Sequence, residues 1–521
     1  MSKETLPPGW CWATLKDVGD FINGDRGKNY PSRDTFVESG IPFINAGHLT
    51  RDGYIDLSTM NYITEERFNL LGDGKILRND VLYCLRGSLG KAAIARDLER
   101  GAIASSLLII RPLKGSIAEF IYYFLVSPEG KALIRLHDNG SAQPNLAARS
   151  VAQYEIPLPP LNEQRRIVAK LEALLARSRG AKEALDRIPV LLDRFRQSVL
   201  AAAFRGDLTR DWREKNPDPE PASKLLERIR AERRRCWEKV ELERMRAKGR
   251  LPMDERWKEK YEQPTCVEDE NPDDLHPGWA WATVDEIAPE RRIGLVRSAA
   301  QQRPVGGAPY IRMQHYDRFG RWQFSDLSTV ATSPEELDEY ELRPADVLFN
   351  TRNSYELVGK VAIWPKDRPG HVYNNNLMRL RFVTSVLPEW AGLQMIAPEF
   401  QGRLADLKSA TTSVCAIYGR DLDRQPLRIV PLAEQRVITS RIEAAFEAIE
   451  RLRASAVTAH TKQVSLEISL LAKAFRGELV QQDPNDESAS LLLERIKTER
   501  ERQAIADESK QRASRRKNRV A

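Results

Sequence analysis

The stretch LPPLNEQRRIVAKLE, residues 158–172, decides how the chain is read. A run of prolines stops, and a strongly helical, heptad-patterned segment starts at once. Nearly the same text stands at residues 429–443, IVPLAEQRVITSRIE. Other words recur in the same order. GWCWAT (9–14) returns as GWAWAT (278–283), and GDGKILRNDVLYCLRGSLGKAAIA (72–95) returns loosely as YELRPADVLFNTRNSYELVGKVAIW (340–364). AAFRGDL (202–208) matches KAFRGEL (473–479), and KLLERIRAER (224–233) matches LLLERIKTER (491–500). The chain is a tandem repeat. Its helical words match closely. Its globular parts share only anchors, namely Asp80 with Asp346, Val81 with Val347, Arg86 with Arg352, and Gly90-Lys91 with Gly359-Lys360. That pattern is a common frame carrying two different readers.

The expected fold is α+β, with two α+β domains separated by two long helical regions and an internal pseudo-twofold repeat. Short β-rich runs such as DVLYCL and APYIRM alternate with helical stretches and turn residues in each globular part. The boundaries read as globular domain 1–158, spacer helix 159–208, and charged helical arm with acidic linker 209–275. The second copy reads as globular domain 276–428, spacer helix 429–480 and charged basic tail 481–521. Alternating steps of three and four pick out Leu171, Leu174, Ser178, Ala181, Leu185, Ile188, Leu192, Phe195, Val199 and Ala202 in the first helix. The second gives Ile442, Ala445, Ile449, Leu452, Ala456, Ala459, Gln463, Leu466, Leu470 and Lys473. Sustained over more than four heptads, this is a coiled-coil seam, and each helix of roughly 40 residues spans about 60 Å. Paired antiparallel, the helices invert the two globular domains relative to one another. Two inverted readers at a fixed distance suit a duplex whose half-sites lie on one face. Pro189 breaks the pattern, because it removes a helical hydrogen bond and is expected to kink or interrupt the first helix.

Composition narrows the class. The 521 residues are 41% hydrophobic and 30% charged, and their mean hydropathy is −0.49. No run approaches the roughly 18–20 apolar residues of a membrane span, and the first residues lack the apolar core of a secretory signal. Five scattered cysteines, never spaced CxxC, fit a reducing cytoplasm without disulfides or zinc. The net charge of +7 is concentrated: residues 222–250 carry +6 and residues 491–521 carry +5. A basic helical stretch of this kind reads as a solvated or partner-binding face. No phosphate loop, dinucleotide fingerprint, H-E-x-x-H or Cys/His cluster is present, nor the Asn/Asp-Pro-Pro-aromatic loop of an amino-methyltransferase. The chain therefore reads as non-catalytic, with no metal and no cofactor of its own.

The junction, heptads and AAFRG word resemble the specificity subunits of type I restriction–modification systems, over nearly the whole chain. The most specific words are IPLPPLNEQRRIVAKLEALL, FRQSVLAAAFRGDLT and LLERIRAER, with their second copies. GWCWATLKDVG and HPGWAWATVDEIA look like starts of target-recognition domains, and SAQPNLAARSVAQYEIPLPPL (141–161) like the close of one. The second closing segment, TTSVCAIYGRDLDRQPLRIVPL (411–432), departs from the first: Cys415 and Ala416 stand where Pro144 and Asn145 do. The resemblance implies a monomeric DNA-binding subunit that reads one half-site of a bipartite double-stranded target with each domain. It implies two adenine-methylating modification subunits and two motor-nuclease restriction subunits as partners, which carry S-adenosylmethionine, ATP and Mg2+, and no membrane. On that reading the basic arms are docking helices or phosphate contacts. The alternative is a non-catalytic coiled-coil scaffold with two protein- or RNA-binding domains.

Base reading needs paired donors and acceptors at loop tips, and phosphate contacts need Lys, Arg or backbone amides. In the first domain the candidates are Arg86, Ser88 and Lys91 in the glycine-punctuated RGSLGK loop, then Asn139, Ser141, Gln143 and Asn145, then His48 and Arg51. In the second domain they are Asn350, Arg352, Asn353, Ser354, Tyr355 and Lys360, with Asn374, Asn375, Asn376, Thr411, Thr412, Ser413, Tyr418, His315 and Arg318. Arg86 and Arg352 hold the same place in both copies, which fits phosphate binding or an internal ion pair better than base reading. Trp10, Trp12, Trp279 and Trp281 read as core or interface anchors.

Overall fold

In each copy the W-x-WAT word forms a strand that closes its domain. Cys11–Thr14 pairs antiparallel with Glu155–Leu158, and Ala280–Thr283 with Pro426–Ile429. The first and last strands of each globular domain are thus neighbours, and the chain leaves for the long helix beside the point where it entered. The computed structural model describes residues 5–137, 145–218, 220–249, 251–267, 275–276, 278–303, 306–410, 414–502 and 505. The chain divides into two compact units, Met1–Asp186 with Ala456–Ala521, and Arg187–Ser455. Each unit holds one globular domain, part of both long helices, and the arm that follows the other copy's helix.

Within the first unit a four-stranded antiparallel sheet has the order Gly19–Asn23, Leu107–Pro112, Val81–Cys84, Ala92–Ile94. A mixed sheet follows, Asn61–Ile63, Ile41–Ile44, Gly101–Ile103, Lys75–Ile76. The second unit repeats the first sheet as Glu290–Ile293, Leu377–Arg381, Val347–Asn350, Val361–Ile363. Val81–Cys84 and Val347–Asn350 are buried along their whole length, as central strands covered on both faces are. Asp80 and Asp346, which precede them, are buried and take a two-pronged grip from Arg111 (2.9 and 2.8 Å) and Arg381 (2.7 and 3.0 Å). The residue before each aspartate is left-handed: Asn79 has φ 67° and Ala345 has φ 68°. Asparagine tolerates this conformation; alanine pays for its Cβ. Ala345→Gly is expected to stabilise the second unit by about 0.5–1 kcal/mol in urea unfolding, whereas Asn79→Gly gains nothing comparable.

The long helices are Leu161–Phe204 and Leu432–Phe475. They pack antiparallel within each unit. In the first unit Gln463 Nε2 donates to Ser178 Oγ at 2.8 Å, while Leu171 and Leu470 share a core. In the second, Asp193 meets Arg453 at 2.8 Å, and Val199 and Ile442 share a core. Leu171, Leu192, Val199, Ile442 and Ile449 are buried, and Leu174, Leu185, Ile188 and Leu470 half-buried. Three expected seam residues are not in the seam: Phe195, Leu452 and Leu466 are 53%, 56% and 53% exposed. The inward positions run 188, 192, 196, 199 and 449, 453, 456, so the three- and four-residue steps change order locally while the heptad phase is kept. Arg196 takes the buried place instead. It lies 3.6 Å over the Phe446 ring and donates to Phe319 O at 3.1 Å, and burial draws its pKa down to about 10. Pro189 does not interrupt the helix. It sits on an exposed face within an unbroken Leu161–Phe204.

The opening junction is a buried clasp. Glu163 and Glu434 are each 1% exposed, and each accepts a tryptophan indole N–H: Trp10 at 3.0 Å and Trp279 at 3.1 Å. Gln164 and Gln435 turn back to donate to Pro159 O (3.0 Å) and Val430 O (2.9 Å). The helix begins at Leu161, and the Asn162 amide donates to Asp486 at 3.2 Å. The AFRG word ends each helix, with Gly206 and Gly477 left-handed (φ 81° and 75°). The phenylalanine before each packs on the other copy's globular domain, Phe475 against Phe120 and Phe204 against Trp390. The arms are fastened in the same crossed manner. Ala222–Ala247 buries Leu225 and Ile229 in the second domain, and the helix over 489–502 buries Leu492 and Ile496 in the first unit. Arg233 donates to Asp285 O and Arg500 to Lys16 O, both at 2.9 Å. The first turns of each arm are thus seated inside its own unit, while Val240 and Leu491 remain 49% and 52% exposed. Most of the acidic linker (268–274 and 277) and residues 506–521 lie outside the described residues.

Candidate nucleic-acid interface

The loop after the central strand carries Arg86 in the first domain and Arg352 in the second, both exposed. Arg86 bridges to Asn145 in antiparallel register, and its Nε donates to Asn145 Oδ1 at 3.3 Å. Arg352 lies opposite Ala416 in the same register. The substitution noted in the sequence thus falls on the residue facing this arginine. Ser88 is exposed beside Arg86; Asn353 and Ser354 are half-buried beside Arg352. Tyr355 and Tyr418 stand 52% and 50% exposed, with Lys408 4.6 Å over the Tyr355 ring and Arg420 5.9 Å over Tyr418.

Several expected contacts prove to be part of the frame. His48 is buried; Asn45 N–H donates to its Nδ1 and its Nε2 meets Thr59 O at 3.1 Å. His315 is buried likewise and takes Arg312 N–H on Nδ1 at 3.1 Å; burial lowers its pKa. Lys91 Nζ donates to Ala46 O at 3.0 Å, and Lys360 Nζ to Met313 O (2.5 Å) and Tyr316 O (2.9 Å), so both lysines tie down the histidine loop instead of reaching for phosphate. Burial lowers the Lys360 pKa. Asn350 is fully buried, and its amide donates to Arg352 O and Asn376 O, both at 3.0 Å. Asn374 is buried too, while Asn375 and Asn376 are half-buried. Arg51 lines a separate cleft with Tyr122, Arg179 and Glu467, and Arg318 lies over the Phe319 ring at 4.7 Å. Asn139, Ser141, Gln143, Thr411, Thr412 and Ser413 lie outside the described residues.

Among the described residues, no helix is long and apolar enough to cross a membrane, and no group of His, Cys, Asp and Glu could hold a metal ion. Residues 7–188 match the family model of the type I restriction modification DNA specificity domain. The chain is 26% identical over 518 residues to the type I restriction enzyme EcoKI specificity subunit of Escherichia coli K12, across 96% of this chain and 97% of that protein. Over nearly its whole length the chain is thus similar to a type I specificity subunit. Identity to the StySPI specificity subunit of Salmonella potsdam is 27% over 521 residues, again across 96% and 97%. The HsdS subunit of Thermoanaerobacter tengcongensis shares the fold at 20% identity, with a TM-score of 0.54 over 92% of this chain and 99% of that one.

Sequence reading missed Arg26, Asp73 and Arg149, which share one cleft with Arg86 and Asn145. It also missed Lys408 and Arg420. The cleft residues come from distant parts of the chain, and their convergence is tertiary.

Proposed function

We propose that this chain chooses the DNA target of a type I restriction–modification enzyme. Each globular domain reads one half of a bipartite, asymmetric double-stranded site, and the paired helices fix the length of a non-specific gap. One observation carries the reading: the two copies share their latches, strands and buried ion pairs, while the loops at Arg86 and Arg352 differ in nearly every exposed residue. A shared frame with divergent tips is what two unlike half-sites require. Arg86, Ser88 and Asn145 serve the first half-site, and Arg352, Asn353, Ser354, Tyr355 and Tyr418 the second. We infer further that one copy of the chain assembles two methyltransferase and two restriction subunits. S-adenosylmethionine, ATP and Mg2+ act on those partners, so the chain performs no catalytic step itself. The names of its relatives, specificity subunits of type I restriction enzymes, support this. The test is selection from random duplexes by the chain together with its methyltransferase partner. Recovery of two fixed sequences at a constant separation is the expected result; binding without sequence preference would sink the proposal.

A further inference from the structure

A cleft of about 560 Å³ in the first unit brings Arg26, Asp73 and Arg149 to the same opening as Arg86 and Asn145. All three are exposed, and among the described residues no side-chain hydrogen bond or ion pair holds Arg26, Asp73 or Arg149. Many arginines among the described residues are neutralised by a carboxylate, so unpaired guanidinium groups converging on one opening await an external acceptor. The wall that carries Arg26 and Asp73 is prebuilt. The Asp25 carboxylate accepts the backbone N–H of Gly27 (2.6 Å) and of Gly72 (2.8 Å), and Asn29 donates to Leu70 O at 3.0 Å, which ties the two loops together. Those backbone donors hold the Asp25 carboxyl below its usual range.

The internal repeat sorts the cleft residues by role. Arg86 has its counterpart in Arg352. Arg149 has its counterpart in Arg420, each being the second residue of a short helix, Ala148–Ala152 and Gly419–Asp423. Two domains that read different sequences can share phosphate contacts but not base contacts. Arg26 and Asp73 have no such counterparts. Two residues past the matching glycines, Gly24 and Gly294, the second domain has Val296; and Glu339, which stands where Asp73 does, is paired to Arg292. Resting on the DNA-reading proposal above, we infer that Arg26 and Asp73 are the base-reading pair of the first domain, directed at G·C pairs, and that Arg86, Arg149, Arg352 and Arg420 hold phosphates. A guanidinium donates to guanine O6 and N7, and a carboxylate accepts from the cytosine N4 amino group.

The test uses the full chain assembled with its methyltransferase partner, with target preference read by selection from random duplexes and by binding to the selected site. Arg26→Gln and Asp73→Asn are expected to relax the preference at one or two G·C positions of one half-site, lowering discrimination there by about 10-fold, and to leave the other half-site and the gap intact. Arg149→Ala and Arg420→Ala are expected to weaken binding to all sequences alike and to reduce the slope of log affinity against log salt by about one each. The substituted side chains are exposed, Arg420 alone of the four having an ion pair, to Asp421 at 3.8 Å, and an unchanged melting temperature certifies the fold. If Arg26→Gln and Asp73→Asn lower affinity uniformly, or change nothing, the inference is wrong. If the wild-type complex selects no bipartite site at all, it is the underlying DNA-reading proposal that fails.

Discussion

Glu434→Ala is expected to destabilise the Arg187–Ser455 unit by about 3–5 kcal/mol, the range for removing one partner of a buried charge pair. The buried Glu434 carboxylate accepts from Trp279 Nε1 (3.1 Å), Thr209 Oγ1 (2.7 Å) and Arg213 Nη1 (2.6 Å). Truncation strands a guanidinium, an indole N–H and a hydroxyl together. The matching Glu163 differs in kind. Its partners are neutral, Trp10 at 3.0 Å and the Gln482 amide at 3.4 Å, and burial raises its pKa. An acid whose pKa is raised on folding favours the folded state while protonated, and that contribution is lost as pH rises from its unfolded value, 4.5, through the raised one. Glu163→Gln, neutral and of the same shape, should therefore cost less than about 1 kcal/mol, against about 2–4 kcal/mol for Glu434→Gln. Hydrogen exchange resolved by peptide, alongside urea unfolding, separates the two units. Equal losses in the two glutamine variants would show that Arg213 does not set the difference.

These clasps explain how much of the fold was legible beforehand. The words GW, PL-x-EQR, AFRG and LLERI recur because each supplies one half of a contact: tryptophan for glutamate, phenylalanine for the facing helix, leucine and isoleucine for a domain core. Repetition exposed them as frame. It could not say that the contacts are crossed, each arm seating on the other copy's domain, because no local pattern encodes which partner a face will meet. The heptad seam was legible where leucine or isoleucine filled it and failed at Phe195, Leu452 and Leu466. There the inward places belong to Arg196, Arg453 and Glu467, long side chains whose stems can be buried and whose heads find partners.

Several expected site residues turned out buried for one reason. Polar residues in loops were taken as outward-facing, yet His48, His315, Lys360 and Asn350 spend their hydrogen-bonding groups on loop carbonyls and amides. A buried polar side chain and an exposed one look alike in sequence; burial is decided by strands that come from elsewhere. The meeting of Arg26 and Asp73 in one cleft was not legible for the converse reason, since their loops are brought together by Asp25 across 47 residues.

Adding four residues to each spacer helix is expected to move the preferred target rather than abolish recognition. Four residues lengthen a helix by about 6 Å, close to two base pairs at 3.4 Å each. The half-site sequences should stay the same and the gap between them grow by one or two base pairs. Methylation of the original site should fall at least about 100-fold, well within the roughly 10³–10⁷ that separates specific from non-specific binding. The insertions belong between Asp186 and Asp193 in the first helix and between Arg453 and His460 in the second, where the flanking pairs Asp186–His460 and Asp193–Arg453 mark the antiparallel register. Four residues are close to one helical turn of 3.6, so the insertion turns the apolar face by only about 40°. An insertion in one helix alone puts the two seams out of register, offsets Ser178 from Gln463, and should lower stability without defining a new gap. Mapping the methylated positions with each variant decides the matter. An unchanged gap after the paired insertion would mean that the helices do not set the spacing, and new half-site bases would mean that the domains do not read independently of it.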